Sequence, residues 1–442
     1  MALPSNKDIW ALTYPIILSL FAENVINVTD TIFLARFGEA ELGASAIGGT
    51  FYILLFIIGL GFSIGTQILI SRRLGEKKDE EVGSIFEISV MFLMLAALII
   101  FIATQFLFSP LFSRILSSGE IYVKTDLYVK YRVWGIFFTF LGCAFRAFYT
   151  GLFKTKFLLA NSLVLAIVNI IFAYLLIFGK FGFPRLGIEG AAIATVIAEF
   201  ASVLFYLIVT YKYIDLKKYS LFQRKTYDLK VIRTILDVSG FIILQNVISM
   251  VAWFTFFLVI EKRGPHQLAI TNIVRSIYLF LMIPGWAFGS ATSTMVSNII
   301  GQGDKENVIP LIKKITLLCF LSILALVVPA LLFHSELLSL YTSDAELISE
   351  SLPSYYVVMA ALIIFSLTMN FFNGVIGTGS TRVSMLIEVI CVIFYFLFVY
   401  VVILVLNMPL EIAWVSEIEY FISVFILLFI YLKKGRWKRK II

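Results

Sequence analysis

Residues 21–35 read FAENVINVTDTIFLA, and Glu23, Asn27 and Asp30 stand in that stretch at i, i+4 and i+7. On a helix this spacing stacks the three side chains on one face. Their neighbours are apolar enough for a membrane interior, where an ionisable side chain costs about 2.5–3.5 kcal/mol on insertion scales. A polar stripe kept at that cost faces other protein rather than lipid and marks a functional site. The chemistry open to it is reversible binding of a cation. A carboxylate whose charge is disfavoured by burial takes a proton, or it joins neutral oxygens around a sodium ion. Asp30 is the leading candidate, and Asn24 and Thr29 read as hydrogen-bond glue between helices.

The elements that hold this stripe follow from composition. Of 442 residues, 60% are hydrophobic and 14% charged, with 43 Phe. Soluble domains hold about a quarter charged and about a half apolar residues. Runs of about 18 or more apolar residues, long enough to cross a hydrocarbon core, recur along the whole chain. They are continuously apolar rather than alternating, so they are helices and not barrel strands. The spacing predicts twelve spans at 10–35, 46–71, 85–108, 131–151, 158–179, 187–211, 237–260, 269–300, 310–333, 353–377, 383–406 and 410–432. The start, MALPSNKDIW, leads directly into a span too long for the apolar region of a cleaved signal peptide. Cys143, Cys319 and Cys391 all lie in apolar segments and read as packing residues.

The net charge of +7 raises nucleic acid as a partner, but the placement of the basic residues excludes it. Of 35 Lys and Arg, 24 fall in the N-terminus, the C-terminus and the loops after even-numbered spans. Nine fall in the other loops, with the span-edge residues Arg132, Lys313 and Lys314 counted with the loops they adjoin, and Arg146 and Arg275 lie deeper inside spans. This bias places both termini in the cytoplasm, and KKGRWKRK becomes an ordinary cytoplasmic flank.

The polar stretch 212–236 divides the chain into an N-terminal lobe, 1–211, and a C-terminal lobe, 237–442, of six spans each. Gly38 and Gly264, Gly75 and Gly301, and Gly151 and Gly377 are all 226 residues apart. Glycine at helix ends explains each position but not the shared displacement. Six spans is an even number, so the repeat is parallel, and two such bundles around a central cleft suit alternating access. The polar stripe does not recur. At the same displacement Glu23, Asn27 and Asp30 become Ser249, Trp253 and Phe256, so an ion site is expected in the first lobe only.

The segment YPIILSLFAENVINVTDTIFLARFG resembles the first helix of the multidrug and toxic compound extrusion (MATE) transporters, with its early Pro and its Asp before a terminating Gly. GFSIGTQILISRRLGEKKDEE resembles the second helix and following loop, and GIEGAAIAT the start of the sixth. The resemblance covers essentially the whole chain. It implies an all-α membrane protein of the wider flippase superfamily, a non-enzymatic antiporter in a bacterial cytoplasmic membrane. That protein would export lipophilic, often cationic drugs in exchange for H+ or Na+. It implies no cofactor, a monomer, and no metal beyond sodium bound at Asp30, Asn169 and Thr195. Asp30 would be the coupling carboxylate, with Asn169 in LAIVNIIFAYLLIFG and Thr195 as polar partners. The family often places a second Asp four residues after that Asn. Here the position is Ala173, and Glu23 is the acid expected to compensate by tuning Asp30.

Arg146, Arg275, Glu199, Glu388, Glu417 and Glu419 are the other embedded polar residues, expected to pair or to line the cleft. Glu388 is the candidate for meeting a cationic substrate. Glu417 and Glu419 are expected at the outer interface. Pro15 and Pro284 should kink spans 1 and 8. An aromatic content of 16% suits flat organic cations. The rival reading is a flippase for lipid-linked saccharides, disfavoured because only two arginines are embedded. No HExxH or phosphate-cradling glycine loop supports an enzyme, and His266 and His334 are expected in loops. An ion site in one lobe also disfavours a symmetric channel. The charge bias makes a testable statement. Accessibility tags at residue 220 and the C-terminus should both label from the cytoplasm, and a tag at 345 from outside. A cytoplasmic 345 would refute the twelve-span topology.

Overall fold

A computed structural model describes residues 3–116, 118–223 and 229–440. Residues 224–228, part of the polar stretch between the predicted lobes, lie outside it. Among the described residues the regular structure is helical throughout. Twelve helical stretches among the described residues are long and apolar enough to cross a membrane, and they match the twelve spans expected from the sequence. The first half consists of α1 (Asn6–Phe37), α2 (Glu39–Gly75), α3 (Asp79–Ile115), α4 (Gly119–Arg132), α5 (Ile136–Gly151), α6 (Lys156–Phe178) and α7 (Ile188–Tyr213). A 3-10 turn, Val133–Gly135, joins α4 to α5, and together they form one span. The second half consists of α8 (Leu229–Glu261), α9 (Pro265–Gly301), α10 (Val308–Leu332), the short α11 (His334–Ser339), α12 (Ala345–Gly377), α13 (Thr381–Val399) and α14 (Leu410–Lys434). A π-helical turn, Tyr400–Val405, extends α13.

The chain forms two compact units. One is Tyr14–Ile243; the other holds the residues up to Thr13 together with those from Leu244 onward. The division thus falls inside α1 and α8.

Helix boundaries are set by local chemistry. In α2, Glu39 and Glu41 occupy the first turn and Arg72 and Arg73 the last, each sign matched to its end of the helix dipole. Asp79, Glu80 and Glu81 open α3 in the same way, and Arg114 closes it. Helical structure continues through Pro15 and Pro284. His266 and His334, expected in loops, are instead the second residue of α9 and the first of α11.

The repeat is visible in the packing of each unit. α2 and α9 are both 37 residues long, start after Gly38 and Gly264 and end on Gly75 and Gly301. A methyl group on Gly151 would collide with Ile70 and the carbonyl of Gln67; one on Gly377 would collide with Val296 and the carbonyl of Ser293. The residues struck are themselves 226 apart. Each glycine brings the end of one helix against the backbone of another at the same place in both halves. Gly151→Val and Gly377→Val should each force that contact open and cost about 1–3 kcal/mol. The measurement is thermal unfolding of the purified protein; an unchanged melting temperature in both would show that the close approach is not needed.

Candidate functional site

In the unit Tyr14–Ile243, α6 presents Asn161, Ser162, Ala166, Asn169, Ala173 and Ile177 on one buried face at helical spacing. Asn169 is fully buried, and its Nδ2 donates to Thr195 Oγ1 of α7 at 3.2 Å. Thr195 Oγ1 in turn donates to the Ala191 carbonyl at 3.0 Å. Asp30 on α1 is half-buried and has Asn169 as its hydrogen-bonding neighbour. Tyr128 on α4 is close enough to feel its charge. The expected set Asp30, Asn169 and Thr195 is therefore assembled. Two acceptors in it are buried without a donor: Asp30 Oδ1 and Asn169 Oδ1. Such an orphan costs about 1–3 kcal/mol. A cation fits here on that ground. A proton on Asp30 removes both the charge and the orphan, and a sodium ion would find the oxygens of Asp30, Asn169 and Thr195.

Ala173 shows why the second acid is missing. It is fully buried in an apolar cluster with Leu34, Leu176, Ile177 and Ile188. A carboxylate there would replace a methyl group in a packed core.

Glu23, expected to tune Asp30, has another role. Its carboxylate takes Arg146 Nη2 of α5 at 2.6 Å and Ser162 Oγ at 3.3 Å. Sharing a helix face did not bring the two acids to one site, because the stripe passes different neighbours at different depths. Asn27 is exposed. Asn24 and Thr29 are not glue between helices; they bond the carbonyls of Leu20 and Val25 on their own helix.

The sequence reading missed Arg132, the second residue of the expected span 131–151, counting it with the flanking loop. The helical stretch starts at Gly119, so Arg132 lies well inside it and is 7% exposed. Its guanidinium grips Glu199 of α7 with two bonds, at 2.6 and 2.9 Å, and lies 3.6 Å from the ring centre of Tyr52. A methyl group on Gly135 would collide with both Arg132 Nη1 and Glu199 Oε2. The glycine leaves space for the pair. Arg132 also acts on Asp30 electrostatically. The sequence signal was its place at the second position of the span expected over 131–151.

The other residues expected to line a substrate path are mostly committed. Arg146 holds Glu23, Glu199 holds Arg132, and Glu388, with no exposed surface, takes hydrogen bonds from Ser249 and Tyr420. Arg275 is half-buried over the Phe257 ring at 4.8 Å, with Nε lacking a hydrogen-bond partner. Glu417, expected at the outer interface, is 3% exposed and lies between Tyr278 and Tyr395. Its position three residues after Trp414 places it on the inward face of α14.

The family model MatE matches residues 15–175 and 242–401. A probable multidrug resistance protein NorM of Thermotoga maritima is 24% identical over 98% of this chain and 94% of its own length. An outward-facing multidrug resistance MATE family transporter of the MOP superfamily superposes with a TM-score of 0.90 at 18% identity, covering 98% and 97% of the two chains. A MOP superfamily transporter from Pyrococcus furiosus, whose binding pocket is of reverse polarity, superposes with a TM-score of 0.89 at 17% identity and the same coverage.

The Arg132–Glu199 pair yields a stability test. Arg132→Met leaves Glu199 buried and unpaired and should cost about 3–5 kcal/mol. Arg132→Met with Glu199→Leu should recover most of that loss in denaturant unfolding. Simple addition of the two single losses would show that the pair is not coupled.

Proposed function

The chain belongs to the MatE family of membrane transporters, and from that premise we propose that it is an H+- or Na+-coupled exporter of lipophilic, often cationic drugs working by alternating access. The observation that carries the cation coupling is the pair of buried, donorless oxygens, Asp30 Oδ1 and Asn169 Oδ1, on facing helices. An unsatisfied buried acceptor costs about 1–3 kcal/mol, a cost that a proton or a bound cation would remove. Arg132 does not supply it as a bonded partner, because its guanidinium is engaged by Glu199.

The oxygen count favours the proton. A proton needs one acceptor, whereas a sodium ion prefers several oxygens and Ala173 withholds the acid that would add two more. Thr195 Oγ1 already accepts from Asn169 and donates to Ala191. In the cycle, Asp30 takes the ion when its site opens to the outside. It releases the ion when the site opens to the cytoplasm, and the bound drug moves the opposite way. The name of the Thermotoga relative supports drugs as the cargo. The protein acts as a monomer in a bacterial cytoplasmic membrane with both termini in the cytoplasm, in line with its charge bias. A flippase for lipid-linked saccharides draws less support. Pyrophosphate calls for free guanidinium groups, and Arg132 and Arg146 are both ion-paired.

Asp30→Asn removes the exchangeable charge and keeps the shape. It should insert, fold and bind dye, yet lose at least about tenfold of gradient-driven dye export from energised vesicles, a barrier of about 1.4 kcal/mol or more. Imposing proton and sodium gradients separately on the wild type identifies the ion. Full export by a well-expressed Asp30→Asn variant would refute the coupling role.

A further inference from the structure

The sequence correspondence runs at 226 residues through the first five spans of each half. It becomes 222 at the sixth, where GIE at 187–189 answers PLE at 409–411 and the helices begin at Ile188 and Leu410. On this correspondence two hydrogen bonds recur with changed chemistry. Glu23 and Ser162, 3.3 Å apart, become Ser249 and Glu388, 2.5 Å apart. The acid and the hydroxyl have exchanged helices. Asn169 and Thr195, 3.2 Å apart, become Tyr395 and Glu417, 3.3 Å apart. The place of Asp30 is taken by Phe256, which packs on Tyr395 and Trp414 at 6.2 and 5.1 Å between ring centres. The second half therefore does carry acids at the corresponding places, contrary to the expectation from α8 alone. They come from α13 and α14.

Their compensation also differs. Glu23 and Glu199 each hold an arginine. Glu388 and Glu417 are 0% and 3% exposed, and among the described residues neither has Lys, Arg or His within 4 Å. The groups facing Glu388 are Ser249 of α8, Cys391 on its own helix and Tyr420 of α14. Those facing Glu417 are Trp253 of α8, Tyr278 of α9, Tyr395 of α13 and Tyr420 on its own helix. Glu419 bonds Ser423, Arg275 of α9 stacks on Phe257, and no ionisable side chain of α12 acts on either acid.

Counting hydrogens around Glu388 points to a ligand. Ser249 has one hydroxyl hydrogen and two acceptors in reach, the Gln245 carbonyl at 3.1 Å and Glu388 Oε1 at 2.5 Å. A hydroxyl donates once and accepts twice. If Ser249 serves Gln245, the short contact lacks a hydrogen, and a proton on Glu388 provides it. Tyr420 stands 2.8 Å from both carboxylate oxygens. Tyr278 and Tyr395 reach the two oxygens of Glu417 at 3.2 and 3.3 Å. A hydroxyl can donate to a carboxylate and turn to accept from a carboxylic acid, so these partners serve both forms; an arginine serves only the charged one. The rings of Tyr395 and Tyr420, 6.1 Å apart, join the two acids. Trp414, 1% exposed and one turn before Glu417, has its Nε1 buried without an acceptor.

We propose that Glu388 and Glu417 form a proton-binding centre of the second unit, at the places that Ser162 beside Glu23 and Thr195 beside Asn169 hold in the first. Each carboxylate takes one proton to become a carboxylic acid, and the surrounding hydroxyls rotate from donor to acceptor. Sodium is disfavoured because hydroxyl hydrogens and ring faces, rather than spare oxygens, surround both acids. The use of the proton in transport rests on the antiport reading; its binding does not.

The test is a pH titration of the full-length protein in nanodiscs, followed by infrared difference spectroscopy of the protonated carboxylic C=O stretch. Glu388→Gln and Glu417→Gln should each delete one band. Tyr420→Phe and Tyr395→Phe keep the volume, remove one hydroxyl, and should shift the Glu388 and the Glu417 band respectively. These two variants decide the matter if either glutamine variant fails to fold. Spectra unchanged in all folded variants would overturn the proposal. So would bands that respond to sodium at constant pH. Asp30→Asn separates the two readings. If it still exports drug while the glutamate bands persist, the role of Asp30 fails and the second centre stands. If export is lost and no glutamate band exists, the reverse holds.

Discussion

A charge inside apolar, membrane-crossing helices must find a partner or cease to be a charge, and the interior of this protein is organised by that requirement. In the unit Tyr14–Ile243 the ion pairs it produces between helices distant in sequence include Arg132 with Glu199 and Arg146 with Glu23. The first ties α4 to α7 and the second ties α5 to α1. The first is more consequential than a surface pair, because removing one member strands the other in a low dielectric. Having consumed the arginines, these pairs leave Asp30 without a bonded cation. The exchange proposed for it therefore rests on the neighbours' commitments as much as on its own burial.

The same requirement is met differently in the other unit. There Glu388 and Glu417 are screened by Ser249, Tyr278, Tyr395 and Tyr420 rather than by arginine. A hydroxyl cage tolerates either protonation state, whereas an ion pair enforces one. Duplication kept the close helix contacts, as the matched surroundings of Gly151 and Gly377 show. It left free which helix supplies the carboxylate at each contact. Backbone approach is constrained by sterics along whole helices. A hydrogen bond across a helix pair needs only one donor and one acceptor, on either side.

Much of the fold was legible in the sequence. Apolar runs of bilayer length dictate helices, because a backbone in hydrocarbon must bond to itself. The twelve spans and the glycine pairs followed from that. Asp30, Asn169 and Thr195 were reached through the resemblance, and the structure brings them together. Arg132 was not, because a basic residue at the second position of an expected span reads as its flank, and the pattern does not reveal that the helix starts at Gly119. Glu23 was assigned to Asp30 because helical spacing reports which face a side chain leaves from, but not which neighbour it meets.

The sequence by itself determined that the chain is an all-helical membrane protein built from a duplicated six-span unit with acids buried in its helices. Those features depend on hydrophobicity and period, which are local. Only the tertiary structure decided the partner of each acid: arginine for Glu23 and Glu199, amide and donorless space for Asp30, hydroxyls for Glu388 and Glu417. Partnership is set by which helices meet and at what depth, and the members of each pair lie up to 139 residues apart. No local pattern encodes a contact over that distance.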